Sequence, residues 1–254
     1  MDPKDQFDRQ AKFYSNSSTF SSGLSLKLLS NLLLGKEFSQ GLDIGTGSGF
    51  TAFELSNNCD SVEAIDISSG MLEEAEKIKQ KRNIDNVNFK IGFAENLEYA
   101  DSSFDIITCR TAAHHFEDLS KALDEINRVL KDKGSVYVID TITSDQKSLN
   151  DWHQKIEIMR DQSHVKNYSL LEWKKYFLNS NLNLIEIFQT RVNMNLEDWM
   201  ERSGTSMKSK KILRNEFENA DNKVKKFFGI EKIRNNHNFY WPVGLFYLKK
   251  TNSF

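Results

Sequence analysis

Three groups of residues in this chain have types and spacings that do chemistry. The first is Gly45-Thr-Gly-Ser-Gly49, set between the short apolar run Gly41-Leu-Asp-Ile44 and a helix-like segment. Glycine has no Cβ, so the chain can turn sharply and let a ligand approach the backbone. The helix that follows offers unpaired N–H groups at its first turn. The second group is a pair of aspartates. Asp66 closes the strand-like Val62-Glu-Ala-Ile-Asp66, about twenty residues past the glycines, where a carboxylate can accept from both hydroxyls of a ribose. Asp43 lies inside the strand before the turn, where a buried carboxylate costs several kcal/mol unless paired. It meets a cationic portion of a ligand or it holds the N–H groups of the loop.

The third group is His114-His115, just past the apolar run Phe104–Cys109. Imidazole titrates near 6.5, which suits it to accept a proton at neutral pH. His115 is the preferred base and His114 the second candidate. The alternative is that one ring packs against the next helix while the other bonds the backbone. Asp140 is a second proton acceptor or a helix cap. His164 and His237 stand apart and read as structural. No Cys/His cluster has metal-ligand spacing, so no metal is expected, and no Gly-x-Ser-x-Gly elbow marks a hydrolase.

The elements that must position these groups alternate strand and helix, as a parallel sheet with crossover helices requires. Strands are expected at 41–44, 62–66, 87–92, 104–109 and 135–141. Helices are expected at about 50–57 and from Ser68 or Ser69, which can cap the second of them; its first turn carries Glu73 and Glu74. Met71, Leu72, Ala75 and Ile78 recur at helical spacing along it. Leu119, Ala122, Leu123, Ile126, Val129 and Leu130 form an apolar stripe on a third helix, ended by Lys133-Gly134. Beyond Thr141, helices are expected at 150–159 and 169–179 and strands at 182–192 and 239–248. One or two further helices should fill 196–228. Trp152, Trp173, Trp199, Phe227, Phe228, Tyr240 and Trp241 fall in this part. They wall an apolar acceptor pocket or are ordinary core aromatics.

Composition bounds the reading. The chain has 254 residues, 39% hydrophobic and 28% charged, the balance of a folded protein. Its net charge of −2 gives no whole-chain attraction to a polyphosphate. The lysines between Arg202 and Arg234 are mixed with acids and read as a solvated helix face. Two cysteines exclude a disulfide framework, with Cys109 read as a buried thiol. No apolar run is long enough to span a membrane. The polar stretch Met1–Gln10 lacks a secretory core, so a cytoplasmic location is expected.

The run Leu42-Asp-Ile-Gly-Thr-Gly-Ser-Gly49 resembles the first motif of class I S-adenosylmethionine-dependent methyltransferases, and Ala64-Ile-Asp66 resembles their second. Gly92-Phe-Ala-Glu-Asn-Leu97 and Asp101-Ser-Ser-Phe-Asp-Ile-Ile107 resemble the segment around strands three and four. Glu125-Ile-Asn-Arg-Val-Leu-Lys-Asp-Lys-Gly134 resembles the helix and turn before strand five. Within that superfamily the closest likeness is to the UbiE-like branch with the YcgJ-like proteins, through Ile106-Ile-Thr-Cys-Arg-Thr-Ala-Ala-His-His-Phe116, Arg160–Val165 and Trp199–Thr205.

The resemblance implies an α/β fold: a doubly wound, mostly parallel seven-stranded sheet, the last strand antiparallel, with helical insertions over the active edge. It implies one methyltransferase domain over 1–254, with residues 1–40 as a helical lid, 41–141 as the cofactor-binding core and 142–254 as the substrate-covering part. Gly45, Thr46, Gly47 and Gly49 would line the methionine portion of S-adenosylmethionine. Asp66 would hold the ribose, Ile67 and Met71 would flank adenine, and Ala94 and Glu95 would meet its edge. Arg110 and Thr111 would sit beside the sulfonium, and Tyr14 would be a lid contact. Family members often carry an acid at the place of Phe93, which cannot accept from the adenine amino group; Glu95 substitutes or the contact is absent. The product would be S-adenosylhomocysteine and the partner a small-molecule methyl acceptor, with a homodimer left open.

Three other readings were weighed. A nucleic-acid methyltransferase of the base-amine type wants Asn/Asp-Pro-Pro-aromatic where this chain has Arg110-Thr-Ala-Ala-His114. A dehydrogenase wants Gly or Ala where Phe50 stands. A non-catalytic cofactor-binding protein would bind the donor without turnover.

Overall fold

Strands covered on both faces must be apolar on both; of the five strands that pair side by side in parallel here, the central ones are, while the outermost, 87–91, alternates apolar with polar residues. The protein is described from a computed structural model over residues 3–15 and 18–251. In chain order the elements are α1 (Pro3–Ser15), α2 (Ser18–Ser22), α3 (Leu24–Leu33), β1 (Phe38–Ile44), α4 (Phe50–Ser56), β2 (Cys59–Asp66), α5 (Ser69–Arg82), β3 (Val87–Ile91) and β4 (Phe104–Arg110). A 3-10 turn at Ala113–His115 follows, then α6 (Leu119–Val129), β5 (Leu130–Thr143), α7 (Lys147–Arg160), β6 (Tyr168–Ser169) and α8 (Leu170–Asn179). The chain continues through β7 (Leu182–Asn195), α9 (Leu196–Arg202), α10 (Met207–Glu218), α11 (Asn222–Phe228), β8 (Glu231–Ile233) and β9 (Asn236–Lys250).

The sheet order is β3-β2-β1-β4-β5-β9-β7, with β6 and β8 as short additions on β5 and β9. The first five strands are parallel, and β9 runs antiparallel to both neighbours. Alternate residues of each strand serve opposite faces. Leu42, Ile107, Val136, Val138 and Phe246 pack under α6 and α8. Val62, Ile106, Tyr137, Ile139 and Leu245 pack under α3 and α4. A third apolar cluster joins α7, α9, α10 and α11 to Phe239 and Trp241. Both cysteines are buried and free.

The expected β-α-β-α-β-β-α-β rhythm is present, with differences at the edges. The sheet counts nine strands where seven were expected, because β6 and β8 add two and three residues. The helix α6 ends at Val129, not at Lys133-Gly134, because Leu130 already pairs with Phe104. Residues 131–134 form the irregular start of β5. The stretch 196–228 makes three helices. Between Arg202 and Arg234 three basic residues are paired with acids: Lys210 with Glu201, Arg214 with Glu197 and Lys232 with Glu218. Ser68 caps α5, accepting from Met71 N at 3.1 Å. Glu73 and Glu74 fall beyond its first turn, and the carboxylate that meets the helix start comes from α1. Asp8 Oδ1 accepts from Ser68 Oγ at 2.6 Å and from Gly70 N at 2.8 Å. Among the described residues no helix is long and apolar enough to cross a membrane.

The turn after β1 depends on glycine for two separate reasons. Gly45 (φ +65°) and Gly47 (φ +54°) are both left-handed, but a Cβ on Gly45 would lie 2.4 Å from Ala112 Cβ, whereas one on Gly47 meets nothing within 4 Å. Gly45→Ala therefore adds overpacking to backbone strain and should lower the unfolding free energy by about 3 kcal/mol or more. Gly47→Ala adds strain alone, about 1 kcal/mol. Urea denaturation of both variants is the check, and equal losses would show that the Gly45–Ala112 contact does not matter.

Candidate active site

β1 and β4 lie side by side, while their connections leave on opposite faces of the sheet. This is the switch point of a doubly wound sheet, where a crevice opens beyond the carboxyl ends of the strands. A cavity of about 620 Å³ occupies it. Of the residues expected to hold a cofactor, Tyr14, Gly45, Thr46, Gly47, Asp66, Ile67, Met71, Ala94, Glu95, Arg110 and Thr111 line this cavity. Asp43 and Gly49 do not. Gly49 (φ +84°) faces Phe53 and Phe89, where a Cβ would come within 3.0 Å of a ring, so it serves packing and the helix start. Asp43 is 1% exposed, one layer behind the turn.

Each carboxylate has a resolvable job. Asp66 Oδ2 accepts from Gly47 N at 2.8 Å and Oδ1 from Ser68 N at 2.9 Å, so it ties the glycine turn to the start of α5. Burial pushes it up to about 6, against the pull of those backbone N–H groups. Each oxygen keeps a lone pair for a further donor. Asp43 Oδ1 accepts from Thr108 Oγ1 of the neighbouring strand at 2.7 Å. Its Oδ2 and the nearby Thr46 Oγ1 are buried with no hydrogen-bond partner among the described residues. Burial raises Asp43 to about 6, opposed by the Thr46 and Thr108 hydroxyls and the Arg110 cation. A buried carboxylate so sparsely satisfied behind a glycine turn is unusual and suits a ligand carrying donors or positive charge nearby.

The adenine-edge expectation for Glu95 meets a complication. Its Oε1 accepts from the backbone N–H of Glu117 at 3.0 Å, which bends the chain into α6. Glu95 lines the cavity, yet half of its carboxylate is already committed. Phe93 is 55% exposed at the cavity mouth and offers only an apolar face.

Arg110 is fixed at both ends, with Nε donating to Thr51 Oγ1 at 2.8 Å and Nη2 to the Phe20 carbonyl at 2.9 Å. Burial lowers it to about 10, with Asp43 pulling the other way, so it stays cationic at neutral pH. Thr111 holds a left-handed backbone (φ +58°), which is costly for a β-branched residue. Its N–H is anchored on the Ile139 carbonyl at 2.7 Å, so the sheet pays for the bend. Phe7 and Phe20, which sequence reasoning did not assign as walls, close the roof with Tyr14; the Tyr14 and Phe20 rings are 4.9 Å apart.

A second cavity of about 110 Å³ shares Tyr14, Arg110, Thr111 and His115 with the first and extends under α7 and α9. His114 lines this second cavity only, while His115 lines both. Asp140 Oδ1 is 2.6 Å from His114 Nδ1, and its Oδ2 accepts from His114 N at 3.0 Å. This defines the role left open for Asp140: it orients His114. Burial disfavours the His114 cation, but the Asp140 charge and hydrogen bond outweigh it and raise the ring above its ordinary value. His115 Nδ1 faces the Ser163 carbonyl at 3.0 Å, and Phe7 packs edge-on to its ring. Burial and the neighbouring His114 lower His115 to about 4.

His164, expected to stand apart, lies 5.4 Å from the His114 ring, and burial holds its pKa far down. His237 is by contrast buried away from both cavities, 3.5 Å from Glu218 and beside the Phe217 ring. Of the aromatics proposed as pocket walls, Trp199 and Trp241 line the second cavity. Trp152, Trp173, Phe227, Phe228 and Tyr240 do not; Trp173 packs under the sheet and Phe228 in the third cluster. Among the described residues no group of His, Cys, Asp and Glu could hold a metal.

Comparison with known proteins agrees with this architecture. A methyltransferase-domain family profile matches residues 37–221. The uncharacterised methyltransferase YcgJ of Bacillus subtilis is 32% identical over 90% of this chain and 90% of its own length. Its crystal structure superposes with a TM-score of 0.85, covering 90% of this chain and 99% of that one. The uncharacterised protein YafE of Escherichia coli is 30% identical over 74% of this chain and 90% of its own length. A phosphoethanolamine N-methyltransferase of Haemonchus contortus, solved with S-adenosylhomocysteine, is 20% identical with a TM-score of 0.65, over 98% of this chain and 60% of that one, a likeness of fold. The protein thus belongs to the methyltransferase family and is an enzyme of its class I fold.

Proposed function

We propose that this protein transfers the methyl group of S-adenosylmethionine to a small molecule held between the glycine turn and His114. The observation that carries the reading is the Asp66 carboxylate set against the glycine turn in the larger cavity. Asp66 beside the turn, with the buried Asp43 carboxylate behind it, suits the ribose hydroxyls and the ammonium of such a cofactor. A pyrophosphate would meet these carboxylates unfavourably, and Phe50 occupies the place where a dinucleotide needs a small residue. Ile67, Met71 and Ala94 supply the apolar cleft for a base, and Arg110 stands where it can neutralise the carboxylate of the amino-acid portion. The bound cofactor supplies an electrophilic methyl on sulfur.

The chain's own contribution is then alignment, exclusion of water and custody of one proton. Orientation of two reactants supplies about 7–11 kcal/mol. The roof of Phe7, Tyr14 and Phe20 covers the junction of the two cavities. The acceptor's proton passes to His114 Nε2, since Nδ1 is engaged by Asp140, and Asp140 stabilises the cation that forms. His115 was the first choice from sequence, but a ring whose conjugate acid lies near 4 is the weaker base; it serves as a neutral wall and acceptor. On this reading residues 1–40 cover the cofactor, 41–141 bind it, and 142–254 enclose the acceptor as parts of one domain.

Calorimetry with S-adenosylhomocysteine tests the cofactor assignment. Binding is expected, and Asp66→Asn should weaken it at least about tenfold, or 1.4 kcal/mol, because an amide cannot accept through both atoms. Absence of heat from the wild type, or thermal stabilisation by NAD instead, would sink the reading.

The histidine pair makes a separate prediction. In NMR titration the His114 ring should titrate above 6.5 and His115 at about 4. A base must be neutral to act, so the acidic limb of kcat/KM should follow His114. Asp140→Asn removes the charge that raises His114 and should move that limb to lower pH. His114→Ala should cost about 10²–10³ in kcat and leave S-adenosylhomocysteine affinity unchanged. A limb that ignores Asp140→Asn would assign the proton elsewhere.

A further inference from the structure

Helix α1 has a side that the cofactor reading does not use. Phe7, Ala11 and Tyr14 recur at helical spacing along one side of it. Phe7 and Tyr14 line the larger cavity, and Ala11 is buried. Asp8 and Ser15, two turns apart, form the neighbouring side, and both reach α5. Ser15 Oγ donates to Glu74 Oε2 at 3.2 Å. Asp8 Oδ1 accepts from Ser68 Oγ at 2.6 Å and from Gly70 N at 2.8 Å.

The seat under Asp8 is made by Gly70. This glycine lies in the first turn of α5, where alanine would be the better helix former. What glycine permits there is close approach. A Cβ on Gly70 would lie 3.0 Å from Asp8 Cα and 3.1 Å from its carbonyl oxygen, backbone atoms that cannot swing aside. Helix α1 therefore rests with its backbone directly on the start of α5.

Ser68 links this seat to the carboxylate beside the glycine turn. It is 0% exposed, and its N–H donates to Asp66 Oδ1 at 2.9 Å. Its hydroxyl donates to Asp8 and accepts from Met71 N at 3.1 Å. Two carboxylates thus converge on one residue, Asp66 from β2 and Asp8 from α1. Burial first, and with it the charge of Asp8, pushes Asp66 upward. The N–H groups at the start of α5 offset that repulsion, since anions are favoured there. Hydroxyls donating to Asp66 would relieve it further.

We propose that Asp8 is a positioning residue for the methyl donor: it seats α1 on Gly70 and holds Ser68, so that a ribose on Asp66 and the docked helix stabilise each other. The proposal rests on the reading of the larger cavity as the site of S-adenosylmethionine. Such coupling is reciprocal. The helix is held more firmly when the site is filled, and the ligand stays longer when the helix is docked.

Dissociation of S-adenosylhomocysteine from the full chain, followed by surface plasmon resonance, reads one side of this coupling, and amide hydrogen exchange of α1 reads the other. In the wild type the ligand should slow exchange of α1 at least about threefold. Asp8→Ala removes two hydrogen bonds to a charged acceptor and should speed dissociation at least about tenfold. Asp8→Asn keeps an acceptor oxygen and should recover part of that loss. Gly70→Ala favours α5 as a helix but fills the seat, and should still speed dissociation at least about threefold. A merely structural Asp8 would lower the urea midpoint and leave dissociation unchanged. Dissociation within about twofold of the wild type in either alanine variant, or α1 exchange indifferent to the ligand, would overturn the proposal and leave the cofactor assignment standing. If the wild type binds no S-adenosylhomocysteine, the cofactor assignment falls and the coupling with it; faster exchange of α1 in ligand-free Asp8→Ala would then leave only the docking contact.

Discussion

The site is organised by one close contact: Gly45 against Ala112, where β1 and β4 release the chain in opposite directions. A side chain at either the first glycine or a larger residue at Ala112 would push the two loops apart. That would separate the turn, which reads as the cofactor's cradle, from the 3-10 segment that carries both histidines. The Asp66 carboxylate completes the constraint by gripping Gly47 N on one side and Ser68 N on the other. Three strand ends are thus locked to one another by backbone hydrogen bonds and a glycine contact. The strain carried by Thr111 is tolerated because its N–H is held by β5.

What could be read from the sequence follows from how local each signal is. The glycine turn, Asp66 and the α6 stripe are set by neighbours within a few residues, and periodicity reports such features directly. Lys133-Gly134 looked like a helix end because that pair favours one. The helix yields four residues earlier because Leu130 gains a strand partner in Phe104, a contact no local rule contains. Glu95 read as a free acceptor, but its partner N–H groups belong to a loop more than twenty residues away. The smaller cavity was the least legible part. Arg160, Arg191, Arg202 and Trp241 come from α7, β7, α9 and β9, and nothing in their spacing brings them together. The aromatic residues past Thr141 were visible as a group, but only packing separates Trp199 and Trp241, at the cavity, from Trp152, Trp173 and Phe228 in apolar clusters.

Two adjacent histidines in one turn are driven in opposite directions by their partners. His114 has a carboxylate on Nδ1 and is raised; His115 has a carbonyl on Nδ1 and a raised imidazole beside it, and is lowered. Pairs of titratable groups pushed apart by their surroundings are a recurrent mark of acid–base assignment. The same burial would leave both rings neutral if Asp140 were absent. The division of labour between them is therefore carried by a residue of the next strand, toward the carboxyl end of β5.

Asp161 joins this electrostatic arrangement to the roof. Its Oδ1 accepts from Gln6 of α1, while its charge faces both His115 and Arg160 and is held down near about 2 by them despite burial. Helix α1 is also fastened at Asp8 to the start of α5 and, through Gln10, to the Ser203 carbonyl beyond α9. One helix therefore reaches the start of α5, the carboxylate beside His115 and the end of α9 at once. The position of this helix and the charge beside His115 therefore depend on the same group, because the carboxylate that bonds Gln6 also faces His115 and Arg160.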